Sequence, residues 1–190
     1  MKTLLYLAVF LFAIVPGWAG AQSSPAVGFF LEVEGIQGEA TAPQHERQIE
    51  LVTLMSAVKQ RGLNLPGLGA PSGRPAFQPL RVVKFVDLAS PALFVSCATG
   101  KVFQQVAIHG VYLSGLEDQP SAEFYTITLK DVSITCVNTE GAEQDGENKL
   151  LETVTLSFGE IFWSYRPLLP TGQLGAPVAG GYNLKTQTKL

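Results

Sequence analysis

Acid–base, nucleophilic or metal chemistry needs histidines, cysteines or carboxylates at defined spacings, and the 190-residue chain offers few of them. Its only histidines are His45 and His109. His45 lies in a polar stretch, where a hydrogen bond that orders a loop is the expected use. His109 alternates with Ala107 and Val111 on a strand-like segment, so it is either a satisfied core histidine or an exposed one. Neither is near a Gly-x-Ser-x-Gly nucleophile elbow, and no His-x-x-x-His or Cys-x-x-Cys spacing offers a metal site. Glu32 and Glu34 stand two apart on one strand and share a face. Glycosidase chemistry sets two acids about 5–9 Å apart across a cleft, and a solvated strand face is the better reading. No catalytic, cofactor-binding or metal-ligating residue is assigned, and no enzyme is expected; the competing enzymatic reading is a hydrolase using His45 or His109.

The composition points the same way. Hydrophobic residues make up 46% of the chain and charged residues 15%, enough for one sizeable core in a single domain. Thirteen Lys and Arg against sixteen Asp and Glu give a formal charge of -3, without the basic excess that nucleic-acid binding needs. Nineteen Gly and twelve Pro suit a turn-rich β protein and exclude a helical bundle. Residues 1–21 have the form of a secretory signal peptide: Lys2, an apolar run from Leu4 to Val15, then Ala19-Gly20-Ala21. The run is shorter than the roughly 20 residues that span a bilayer and is broken by Pro16 and Gly17, so cleavage is expected rather than membrane anchoring. The expected product is one domain, 22–190, secreted or periplasmic and free of the membrane. Disulfides persist in such compartments, and Cys97 and Cys136 could pair; the favoured reading is that both are small buried hydrophobes.

Positioning elements follow from periodicity. Phe29–Ile36 is strand-like and closes at Gly35, a polar loop runs through Arg47, and Ile49 and Leu51 resume the alternation. Residues 59–78 are so rich in Gly and Pro that a long loop is expected. Its Leu63, Leu65, Leu68 and Phe77 would be costly to leave in water, which makes them candidate partner contacts. Leu80–Val86 predicts a strand, and Ser90-Pro91 predicts an N-cap and first turn for a short helix over 91–98, with Leu93, Phe94 and Cys97 inward and Gly100 ending it. Two stretches reverse apolar parity. Tyr125, Ile127 and Leu129 give way to Val132, Ile134 and Cys136, and Val154, Leu156 and Phe158 give way to Ile161, Trp163 and Tyr165. Bends are expected at Lys130-Asp131 and Gly159-Glu160, of the kind that curves long strands into a closed barrel. Residues 139–148 are expected to be a solvated hairpin connection, and the tail after Pro167 is again rich in Gly and Pro until Tyr182-Asn183-Leu184.

The order of these elements, with Phe30-Leu31-Glu32-Val33-Glu34-Gly35-Ile36-Gln37-Gly38-Glu39, His45, Ile49-Glu50-Leu51, Lys84, Asp87, Ser90-Pro91-Ala92-Leu93, Cys97 and Gly100-Lys101, resembles the haemolysin-coregulated protein family, Hcp, of type VI secretion systems. The resemblance continues through Tyr125–Val132, Glu152–Phe158, Ile161, Tyr165 and Gly181-Tyr182-Asn183. It implies a closed antiparallel β-barrel with one flanking helix and a long extended loop, assembling without catalysis or cofactor into a homohexameric ring. Rings of the family stack into a tube, driven outward by a sheath, whose lumen carries effector proteins. The implied partners are other copies of the chain and the spike, sheath and effector proteins. The leader departs from the family, whose members assemble in the cytoplasm without one. Phe162, flanking Trp163 and Tyr165, joins the loop residues as a candidate subunit contact, because aromatics dominate interface energetics. Trp163 and Tyr165 either share that role or fill the barrel. The alternative to a ring subunit is a monomeric periplasmic or extracellular β-barrel binding module.

Overall fold

The computed structural model describes residues 26–60, 75–113, 122–144 and 146–190. The leader, and Leu63, Leu65 and Leu68, lie outside the described residues. In chain order the elements are β1 (Ala26–Val33), β2 (Ile49–Leu51), β3 (Thr53–Met55), β4 (Val58–Gln60), β5 (Pro75–Phe77), β6 (Leu80–Phe85), α1 (Ser90–Thr99), β7 (Val102–Leu113), β8 (Ala122–Gln144), β9 (Glu147–Ser157), β10 (Glu160–Tyr165), β11 (Val178–Asn183) and β12 (Thr188–Lys189). The protein is therefore mainly β with one short helix.

All pairings are antiparallel. The main sheet runs β12-β11-β10-β8-β7-β1-β2, and from β8 a branch continues through β9 and β6 to β3. β4 and β5 form a separate two-stranded ribbon. Val52 separates β2 from β3, and its N–H donates to the carbonyl of Val83 at 2.7 Å. Alternate residues point to opposite faces of a strand, so one face of each long strand fills a common core. Leu31, Ile49, Leu80, Val82, Leu93, Ile108, Ile127, Leu129, Val132, Val154 and Leu156 are all buried there. A smaller cluster of Phe30, Ala40 and Val111 occupies the other face of β1 and β7. The segment 37–48 covers it, held to itself by Gly38 N–H to Arg47 O, Ala40 N–H to Gln48 O and Arg47 N–H to Ala40 O.

Both parity reversals fall where β8 changes partner. β10 pairs with β8 up to Lys130, and β9 pairs with it from Ser133. Between them Asp131 takes a positive φ of 51°, and Gly159 N–H donates to Lys130 O. The ribbon bends here, as expected, while the register shifts lie elsewhere, at Gly110/Val111 and Ile134/Cys136.

Several expectations need correction. β5 lies within the expected 59–78 loop and pairs with β4, which a two-stranded edge permits despite Pro75. β8 and β9 form a hairpin there and continue pairing out to Gln144↔Glu147, so the expected solvated connection over 139–148 is nearly all strand. The tail contains β11, paired along the whole of β10, with Gly180 and Gly181 opposite Trp163 and Phe162. Glycine's low strand propensity hid it; backbone pairing and the facing aromatics compensate. The helix opens at Ser90, with Ala89 in the cap position and no side-chain cap. Ser90, Leu93, Ser96 and Cys97 turn inward and Phe94 is 63% exposed, because one further residue rotates a side chain by about 100° from Leu93. Gly100 ends the helix in the left-handed conformation, as expected. Cys97 is half-buried and Cys136 exposed; both are free thiols, so they are neither a disulfide nor both buried.

Gly38 fixes how closely segment 37–48 can fold. A Cβ there would sit 2.4 Å from Gln48 O and 2.7 Å from Ile49 Cα, both backbone atoms. Gly38→Ala is expected to cost about 1–3 kcal/mol in urea unfolding. Gly141→Ala, whose Cβ would meet nothing within 4 Å, should change stability by less than about 0.5 kcal/mol.

Candidate assembly surfaces

β10 leaves the core partway along. Ile161 is buried, whereas Trp163 and Tyr165 on the same face are 40% and 45% exposed. They line a groove of about 470 Å³ between β10–β11 and the β4–β5 ribbon, with Val58, Phe77, Tyr125, Val178 and Tyr182. The Phe77 ring stacks on Tyr182 at 5.2 Å and meets Phe158 edge-on at 6.3 Å, so the ribbon is held against β11 by aromatic contact. No lining residue is charged. Burial pushes the Tyr125 phenol above its ordinary pKa, keeping that wall neutral. Of the expected contacts, Phe77 is thus a half-buried groove wall, while Phe162 is exposed on the opposite face of β10, beside Thr128, Lys130, Glu160 and Leu190.

A second apolar face was missed from the sequence. α1 has the sequence SPALFVSCAT, with no charged residue. Its outward Phe94 and Val95, with Leu88 before it and Val102 after it, are each at least 56% exposed. A helix that is apolar all round is normally covered on every side.

A buried ionic cluster fixes that helix. The Lys84 ammonium, fully buried, lies 2.7 Å from Asp87 Oδ1, and donates to Glu152 Oε2 and Ser90 Oγ, each at 2.9 Å. Ser90 Oγ also accepts from Asp87 N–H at 3.0 Å and donates to Glu152 Oε2 at 2.6 Å, and Thr139 donates to Glu152 Oε1 at 3.2 Å. β6, α1, β8 and β9 meet at this point. Burial opposes the Glu152 charge, but the hydrogen bonds from Ser90, Lys84 and Thr139 outweigh it and hold its pKa below the usual carboxylate range. A buried Ser–Lys contact can suggest a nucleophile. Here the ammonium faces two carboxylates and the hydroxyl donates to one of them, so the cluster is structural.

The two histidines come together. His45 stacks on Phe30 at 4.9 Å, its Nδ1 bonds Gln48 Oε1 at 2.9 Å, and its ring lies 5.3 Å from that of His109. The loop-ordering role expected of His45 is what its contacts show. His109 is mostly buried between Glu123 and Glu32, at 2.5 and 3.3 Å. No hydroxyl or thiol nucleophile bonds either ring among the described residues, and no group of His, Cys, Asp or Glu there could hold a metal. Glu32 lies on β1 and Glu34 in the turn that follows it, rather than both on one strand as expected, and both are exposed.

The antiparallel β fold and its exposed, uncharged apolar faces suit a protein that contacts other proteins. The family model described as "Type VI secretion system effector, Hcp" matches residues 30–165, and the chain belongs to this family of type VI secretion tube proteins, which is a structural and secreted family rather than an enzyme family. Among relatives, the Pseudomonas aeruginosa protein hcp1 is 31% identical over 161 residues, spanning 84% of this chain and 96% of its own length. The crystal structure of Hcp1 from Salmonella typhimurium superposes with a TM-score of 0.68 at 25% identity, covering 87% of this chain and 99% of that one. A structure described as a type six secretion system protein has the same fold, with a TM-score of 0.78 at 22% identity, covering 87% and 100%. Among the described residues no helix is long and apolar enough to cross a membrane.

Replacing Lys84 by Met strands two carboxylates, and the expected loss is about 3–5 kcal/mol of unfolding free energy at neutral pH. The Glu152 contribution is present above its ordinary value of about 4.5 and is lost as pH falls through the lowered folded-state value. Urea midpoints measured from pH 7 into acid should therefore fall more steeply for wild type than for Glu152→Gln.

Proposed function

We propose that this chain is a homohexameric ring subunit of a type VI secretion tube, exported under residues 1–21 and working from Gln22 onward as a secreted or periplasmic protein. The carrying observation is the pair of separate, uncharged apolar faces, the groove at Trp163 and Tyr165 and the outward side of α1. Each subunit of a ring made by rotation must present two different patches to its two neighbours. In this reading the outward side of α1 in one copy enters the groove of the next. Leu63, Leu65, Leu68, Phe77 and Phe162 add subunit and stacking contacts, and stacked rings enclose a lumen for effector proteins, with spike and sheath proteins as the outer partners. Closure of the fold into a barrel is supported by the circuit of pairings β1-β7-β8-β9-β6-β3, which returns to β1 through Val52 and β2.

One observation favours a second reading, a monomeric extracytoplasmic binding module: the groove has the size and aromatic lining of a small-ligand site. The native mass of the chain from Gln22, by light scattering with negative-stain imaging, separates the two. A hexamer with ring-shaped particles is expected; a clean monomer at micromolar concentration would put the binding module first. The face pairing has its own test. Phe94→Glu and Trp163→Glu should each stop ring formation, and mixing the two variants should give a heterodimer, because each keeps the face the other lacks. Rings that persist in either variant would remove that face from the interface. Leu65→Asp with Leu68→Asp should weaken rings or stacks in the same assay.

A further inference from the structure

His109 on β7 presents both ring nitrogens to carboxylates: Nδ1 to Glu123 Oε2 of β8 at 2.5 Å and Nε2 to Glu32 Oε2 of β1 at 3.3 Å. A neutral imidazole donates from one nitrogen only, so satisfying both contacts takes the imidazolium. Glu32 Oε2 also accepts from Gln48 Nε2 at 3.3 Å, and Gln48 Oε1 accepts from His45 Nδ1 at 2.9 Å. His45 in turn lies flat on Phe30, the centre of the small cluster under segment 37–48. A chain of side-chain contacts thus leads from the His109 proton to that segment.

We propose that His109 is a proton-operated latch: doubly protonated, it holds Glu32 in place to receive Gln48 and so fastens segment 37–48 to the sheet, and on losing a proton it releases that fastening. The shorter contact keeps the remaining proton on Nδ1, toward Glu123. The Nε2 lone pair then faces the Glu32 carboxylate, two acceptors with no hydrogen between them, and Glu32, 60% exposed at its side chain, turns to water. Gln48 loses its acceptor and His45 is left with an unsupported partner.

The titratable groups facing the ring are Glu32 from β1, Glu123 from β8 and His45 from the segment. Burial disfavours the His109 charge, but hydrogen bonds and charge from Glu123 and Glu32 outweigh it and raise its pKa above 6.5. The His109 bond lowers the Glu123 pKa below 4.5 against the opposing effect of burial. A raised histidine stabilises the fold fully below about 6.5 and loses that contribution as pH climbs through the raised value; the lowered glutamate contributes fully above about 4.5 and loses it as pH falls through its own. The latch is therefore fully fastened between about 4.5 and 6.5 and opens on the alkaline side.

Mass spectrometry reads both ends of the chain of contacts on the intact protein: imidazole C2-hydrogen exchange gives the His109 titration, and amide exchange, corrected for its intrinsic pH dependence, reports on peptide 37–48. The expected result is a His109 midpoint above 6.5 and a rise of about threefold in amide exchange over the pH unit centred on it, since across that unit the neutral fraction climbs from roughly one quarter to roughly three quarters. In Glu32→Gln, a surface change that leaves the core untouched, the midpoint should fall and the amide step should vanish. A His109 midpoint at or below 6.5, amide exchange without a step, or a step that survives in Glu32→Gln would each overturn the latch.

Discussion

The corner where Asp131 faces Gly159 decides the architecture. β8 is too long for one flat sheet, and twisted antiparallel ribbons curl or split when they extend. At Asp131 the backbone enters the left-handed region, and the opposing chain passes through a glycine, where a Cβ would press within 3.2 Å of the Asp131 side chain and 2.9 Å of the Lys185 Cε. Lys185 Nζ reaches Asp131 Oδ2 at 2.7 Å and pins the tail to the outside of the bend. On one side of the corner β8 continues into β10, β11 and the groove. On the other it continues into β9, β6 and the anchorage of α1. Both apolar faces hang from this division.

That corner was legible because it inverts a pattern. A period of two makes a one-residue slip move every side chain to the other face, so the move from Ile127 and Leu129 to Val132 and Ile134 announces a bend from sequence alone. β11 announced nothing, since its sequence is VAGGYN and its strand character comes from lying beside β10. Phe94 was misplaced for a similar reason. Consecutive apolar residues on a short helix do not say which of them faces in, and the neighbouring sheet made that choice.

The ionic cluster was partly visible and went unread. Lys84 shares parity with Leu80 and Val82, and Glu152 with Val154 and Leu156, so each strand places one charge on its buried face. A lone charge at such a position is costly, and two of opposite sign invite pairing. What the sequence could not supply was the register, which sets Lys84 directly opposite Glu152 across the β6–β9 ladder. The histidine pair was hidden by the same ignorance of register: His109 stands opposite Phe30, the residue on which His45 stacks.

The buried cluster and the outward face of α1 are two halves of one physical problem. A ten-residue helix is marginal by itself in water, and α1 lacks the usual aids: a side-chain cap, acidic residues in its first turn, basic residues in its last. Inward burial of Leu93 and half-burial of Cys97 supply part of what is missing. The rest comes from Ser90, which ties the first turn to Lys84 and Glu152 in a low-dielectric site where breaking one contact leaves a charge unpaired. An anchor of that kind permits the remaining surface of the helix to be selected for something other than holding the helix in place. That surface carries Phe94 and Val95 where a solvated helix would carry Lys and Glu, and contiguous exposed apolar side chains of this kind are the composition that interaction surfaces share.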